Sequence, residues 1–167
     1  MSEKAFPFYI KTFQHLKLLG RAMFMWIGLY AIMSFEKFPF QVFIYAGCVL
    51  FILDTLPNLI VHIQYWLKNR KAVLYINVEE KTILYKSSGY DITGNFQDIK
   101  CFSFYSIYGS ERGFYSYGVY KYCKIDFHNG KSIIATVLMI PNVEITLQLL
   151  LKIQPERHKK FVFCFAK

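Results

Sequence analysis

The chain has 167 residues, a hydrophobic share of 54%, a mean hydropathy of +0.26 and a formal net charge of +9. So much apolar mass excludes a disordered chain and leaves room for one small domain plus membrane-embedded segments. Cys48, Cys101, Cys123 and Cys164 form no C-x-x-C pair, which argues against a zinc ribbon or a disulfide framework and makes them packing residues.

In residues 1–17, Phe6, Tyr9, Ile10, Phe13 and Leu16 recur at helical spacing, while Lys4, Lys11, Gln14 and His15 fall mainly elsewhere. That pattern predicts a short amphipathic helix lying in a membrane interface. The charged lead-in is long and no small-residue cleavage site follows Ala31, so a signal peptide is not expected.

Two apolar runs follow. Residues 18–35 carry a single charge, Arg21, and residues 38–66 are interrupted only by Asp54 and His62. A helix of about 20 apolar residues crosses a hydrocarbon core. The short connection Glu36-Lys37-Phe38-Pro39 makes an antiparallel hairpin, with spans at 18–35 and 40–62 inside a transmembrane unit of residues 18–67. Counted outward from the turn, Arg21 and Asp54 fall at similar depth, so they can pair across the hairpin; the alternatives are snorkelling by Arg21 and a wet or subunit-facing Asp54. Pro57 removes a backbone donor and bends the helix, either as a plain bend or beside a gate. Lys4, Lys11, Lys17 and Arg21 flank the first run and Lys68, Arg70 and Lys71 flank the second. By the bias of Lys and Arg towards the cytoplasm, both termini are expected there, in a multi-pass membrane protein.

After Lys71 the pattern turns to β structure. Residues 73–78 and 82–86 read as a hairpin around Glu79-Glu80-Lys81, and 87–95 as a loop. Residues 96–107 read as a third strand, 108–118 as a Gly- and Tyr-rich loop, and 119–127 as a fourth strand. The Asn129-Gly130 turn leads into a fifth strand, 131–140. Asn142 is placed to cap a helix that ends before Pro155, and 161–165 can form a last strand. The fold class expected is an α+β membrane protein: a two-helix transmembrane hairpin, then a small antiparallel β-barrel or roll over residues 72–167, with one C-terminal helix.

Catalytic chemistry finds no footing. His15, His62, His128 and His158 are scattered, and no nucleophile elbow, phosphate-binding loop or deaminase pattern occurs. Neither enzymatic activity nor a metal or cofactor is expected. One polar and aromatic group stands out: Arg112, Tyr115, Tyr117, Tyr120, Lys121, Tyr122 and Lys124. Cations hold phosphates and tyrosines stack or donate hydrogen bonds, so the group can line a ligand mouth; ordinary strand packing accounts for the same residues. By alternation, Tyr120, Tyr122 and Lys124 share one strand face and Lys121 takes the other.

Two short spans, a DTLPNLIVHIQYWLKN stalk and a β-rich domain resemble the two-transmembrane, β-strand-rich effectors of bacterial CBASS antiphage systems. That resemblance implies a homo-oligomer in the bacterial inner membrane, a cyclic nucleotide ligand and damage to the bilayer. The segments NVEEKTILY, FQDIKCFSFY and FHNGKSIIATVLMI are also similar to a pleckstrin-homology-like (PH-like) roll. This second resemblance implies a non-enzymatic, membrane-tethered scaffold that binds anionic lipid or a protein. Either way the lipid bilayer is a partner. A nucleic-acid polymer is not expected, because much of the positive charge clusters beside the apolar runs.

Overall fold

The computed structural model describes residues 5–35, 39–107 and 119–160; within the first helix, the side chains of residues 14, 16–19, 21 and 22 are outside the description. The elements run β1 (Ala5–Phe8), α1 (Thr12–Phe35), α2 (Phe40–Leu50), α3 (Leu56–Asn69), β2 (Val73–Asn77), β3 (Thr82–Ser87), β4 (Tyr90–Asn95), β5 (Ile99–Ile107), β6 (Tyr122–Phe127), β7 (Ser132–Thr136), α4 (Val143–Leu151) and β8 (Glu156–Lys160).

The strands form two four-stranded sheets. The first has the order β1-β2-β3-β4 and is antiparallel throughout. The second has the order β7-β6-β5-β8, with β8 parallel to β5. The β2–β3 turn is fixed by Asn77, whose Oδ1 accepts from the backbone N–H of Glu79 and of Glu80, 3.1 Å each. A short 3₁₀ turn, Phe96–Asp98, carries the chain from one sheet to the other. It is closed by Asp98 Oδ2, which accepts from the Asn95 N–H at 3.0 Å.

Alternate residues of both sheets point inward. Leu74, Ile76, Ile83, Phe102, Phe104, Ile125 and Ile133 form one core with Val143, Leu147 and Leu151 of α4. Phe127 reaches from the second sheet to the first and lies over Gly94. A Cβ there would stand 2.6 Å from Phe127 Cε1, so this position takes only glycine.

A π-helical turn, Phe51–Thr55, joins α2 to α3, with the Leu56 N–H donating to the Phe51 carbonyl. The two helices are therefore one continuous helix over residues 40–69. Pro57, in the first turn of α3, lacks an N–H, and the wide turn just before it absorbs the change of register. Helix α1 packs antiparallel to this long helix: Trp26 Nε1 donates to Thr55 Oγ1 at 2.8 Å and the Trp26 ring rests on Gly47.

The structure departs from the expected fold class. Among the described residues only one helix, 40–69, is long and apolar enough to cross a membrane. The apolar part of α1 is Met23–Phe35, about 20 Å of helix against a hydrocarbon core of about 30 Å. A transmembrane hairpin therefore does not stand, and neither does a multi-pass protein of the inner membrane with both termini cytoplasmic. Composition misled because it counted residues 18–35 as one span, while the start of α1 is tied to the β-domain. The helices also do not precede that domain. β1, where an interfacial helix was expected, pairs with β2, so the helical arm is inserted between two neighbouring strands of one sheet. Two further differences concern strands: residues 90–95, expected in a loop, form β4, and β5 pairs not only with the antiparallel β6 but also with β8, a parallel strand where none was expected. The expected strand at 161–165 lies outside the described residues.

Candidate functional site

Helix α3 lies on the outer face of the second sheet. Its Val61 and Tyr65 form a second cluster with Tyr120, Tyr122, Ile134 and Leu138. The other residues it buries are polar: Asn58, His62 and Asn69, which recur on one face at helical spacing. Its outward residues are Leu56, Leu59, Ile60, Ile63, Trp66 and Leu67. The amphipathic order of a helix on a water-soluble domain is reversed.

The polar residues form a chain. Tyr120 is fully buried, and its phenol donates to Asn58 Oδ1 at 3.0 Å. With its proton committed there, the phenol oxygen accepts from His62 Nδ1–H at 2.7 Å. His62 is thereby assigned as the Nδ1–H tautomer, and its Nε2 accepts from His15 Nδ1–H at 2.8 Å. Three elements are thus joined by directional bonds: α1 through His15, α3 through Asn58 and His62, and the entry to β6 through Tyr120. Two turns below His62, Asn69 Nδ2 donates to the Ile134 carbonyl at 3.0 Å. Burial pushes the Tyr120 phenol well above its usual range, which keeps it a neutral hydrogen-bonding group.

From Tyr65 a row of rings crosses the same sheet face. Tyr65 meets Tyr122 edge-on, Tyr122 stacks on Tyr105 with centroids 4.6 Å apart, and Tyr105 stacks on His158 at 4.8 Å. Cations stand over aromatic rings around this junction: Lys11 over Tyr9, Arg70 over Trp66 and Lys160 over Tyr105. Together with Lys68 and Lys71 they make a basic and aromatic collar where the arm meets the roll. Beyond the collar the arm is apolar outside: Phe24 and Tyr45 are each 73% exposed and Leu53 60%.

The residues singled out from sequence separate. Arg112, Tyr115 and Tyr117 lie outside the described residues. Tyr120 belongs to the buried chain above, and Tyr122 to the ring row. Lys121 is half-buried, and Lys124 pairs with Asp126 at 3.0 Å. Asp54 is buried at 3% exposure, while the side chain of Arg21, its expected partner, lies outside the described residues. Sequence reasoning missed the His15–His62–Tyr120–Asn58 chain, although one signal was visible: Asn58, His62, Tyr65 and Asn69 mark a stripe through an otherwise apolar run. Among the described residues no group of three His, Cys, Asp or Glu side chains converges as a metal site. Cys123 is buried, and burial, with Glu144 nearby, raises its thiol well above the usual range, so it is unreactive packing.

A PH domain family model matches residues 4–147, which takes in the first sheet, the whole helical arm and strands β5, β6 and β7 of the second sheet, and stops short of β8. The chain belongs to the PH domain family. No curated protein and no solved structure matches it. The PH-like resemblance is thus the one supported, and the resemblance to the antiphage effectors, with its nucleotide ligand, oligomer and membrane damage, gains no support.

Proposed function

We propose that this PH domain is a non-enzymatic scaffold tethered to a bilayer by its helical arm, with the basic collar facing anionic headgroups. PH domains bind lipids or proteins, which is compatible with such a role. The observation that carries the reading is the reversed order of α3, with Asn58, His62 and Asn69 turned to the protein and Ile60, Ile63 and Leu67 turned away from it. In water that arrangement exposes apolar area for no return; beside lipid it is the favourable one. The aromatic and cationic collar then falls at the polar boundary, where Trp, Tyr, Lys and Arg are favoured. Each cation near an anionic surface adds about 1 kcal/mol of attraction.

The test is flotation of the full chain with vesicles of phosphatidylcholine, with and without phosphatidylglycerol. The chain is expected to float with both and to prefer the anionic mixture. Ile52→Lys with Leu53→Lys abolishes flotation with either, and Lys68→Gln with Lys71→Gln removes only the preference. A folded chain that stays in the aqueous layer with anionic vesicles overturns the proposal.

A further inference from the structure

At the end of the roll away from the arm, a groove of about 290 Å³ opens to solvent. It lies beyond the far end of β2, about 17 Å along the strand from the last turn of α3. Its walls are Val78 after β2, Phe96 of the 3₁₀ turn, and Leu150 and Ile153 at the end of α4. Lys81 and Lys152 stand at its rim, and among the described residues no acidic side chain lines it. Glu79 and Glu80 share the turn with Lys81 but lie outside the lining. The apolar surface continues onto α4, where Ile145 is 59% and Leu149 is 70% exposed. These two lie one turn apart on a stripe that leads to Lys152.

The backbone at the rim adds a second observation. Lys81 and Lys152 have φ values of 53° and 57°, in the left-handed region. Glycine or asparagine is the usual choice for such a turn and for such a helix end. Here lysine occupies both positions at a conformational cost, and the two cations flank one apolar groove.

We infer that this groove docks a short segment of a partner protein, carrying apolar side chains bracketed by Asp or Glu. The apolar walls take the side chains and the two lysines take the carboxylates. The inference deepens the scaffold reading by giving the chemistry of the partner. It rests on that reading for the idea of a cargo, not for the membrane tether: the groove and the collar sit at opposite ends of β2.

The experiment is selection of a random peptide-display library on the full chain in detergent micelles, followed by fluorescence anisotropy with the enriched peptide. Enriched peptides are expected to carry apolar side chains flanked by acids. Binding weakens about tenfold in Lys81→Gly with Lys152→Gly, a pair that suits the left-handed backbone and so spares the fold. Lys86→Gln removes a charge elsewhere and leaves binding unchanged, as does Ile52→Lys with Leu53→Lys, even though the latter loses vesicles. An absence of enriched peptides, enrichment of basic ones, or full binding in the double glycine variant overturns the inference. Loss of vesicle flotation in that variant overturns it too, because lipid would then occupy the groove.

Discussion

Helices α3 and α4 each cover a sheet of the same roll, and they do so with opposite chemistry. α4 buries Val143, Leu147 and Leu151 in the core between the sheets. α3 buries Asn58, His62 and Asn69 beside Val61 and Tyr65, and turns a row of aliphatic residues outward. α4 is held by apolar area taken out of water, which needs no particular geometry. α3 is held in large part by hydrogen bonds, which fix one orientation and one distance. A helix whose outer face meets lipid gains little by burying more aliphatic surface, so its attachment has to come from polar groups satisfied inside. On the proposed tethering, the buried polar face of α3 is what a lipid-facing helix requires, while α4 is held by its apolar inner face.

The two attachments respond differently to substitution in chemical or thermal unfolding of the full chain in detergent. Leu147→Ala in α4 opens a cavity and is expected to cost about 2–5 kcal/mol. Tyr120→Phe at the α3 contact removes only an oxygen, yet takes one hydrogen bond from Asn58 and leaves the buried His62 Nδ1–H without the phenol; about 2 kcal/mol is expected. A neutral Tyr120→Phe would mean that the polar chain does not hold α3, and the comparison would fail.

Tyr85, in the core between the sheets, has its pKa pushed up to about 12, mainly by burial and then by Tyr90. An unfolded tyrosine ionises near 10. Between these values the unfolded chain has lost a proton that the folded chain keeps, so stability is present below pH 10 and falls as pH rises towards 12. The loss at pH 12 is about 2 kcal/mol, and Tyr85→Phe should flatten this limb. Denaturant midpoints measured across that range check it.

The smallest effect is a gain. Thr136 Oγ1, beside the α3 contact, is buried and has no hydrogen-bond partner among the described residues. Thr136→Val keeps the shape and removes the stranded hydroxyl, so about 1 kcal/mol of added stability is expected in a melting curve.

Much of the roll was legible because its signals are local. The hairpin around residues 79–81 and the Asn129-Gly130 turn are read from neighbours in sequence, and the helix between Asn142 and Pro155 is bounded by its own punctuation. β1 was not legible: Ala5–Phe8 contains Pro7, and its partner strand begins at Val73. β8 was hidden because Glu156–Lys160 is almost wholly charged and is a strand only by lying against β5. The arm was misread for a different reason. Hydropathy counts residues and ignores faces, so residues 18–35 passed as a span and the inward stripe of Asn58, His62 and Asn69 went unseen. Of the candidate site, Tyr120 and Tyr122 could be named from sequence, but their partners Asn58, His62 and Tyr65 on α3, and His15 of α1 behind His62, lie too far along the chain for any local pattern to join them.

β1 has a consequence for how the molecule is assembled and kept apart from its copies. It is the outermost strand of its sheet, short and with a proline, as edge strands tolerate. Closing it onto β2 means closing a loop that contains the entire arm, at an entropic cost of about 4 kcal/mol for a flexible chain of that length. A formed arm brings the two ends together in advance and lowers that cost. Until the arm is in place, the edge of β2, with Leu74 and Ile76, stays open to pairing with another chain. The topology therefore favours an order in which the arm forms before β1 closes onto β2, so that the strand of this sheet that comes first in the chain is the last to lock.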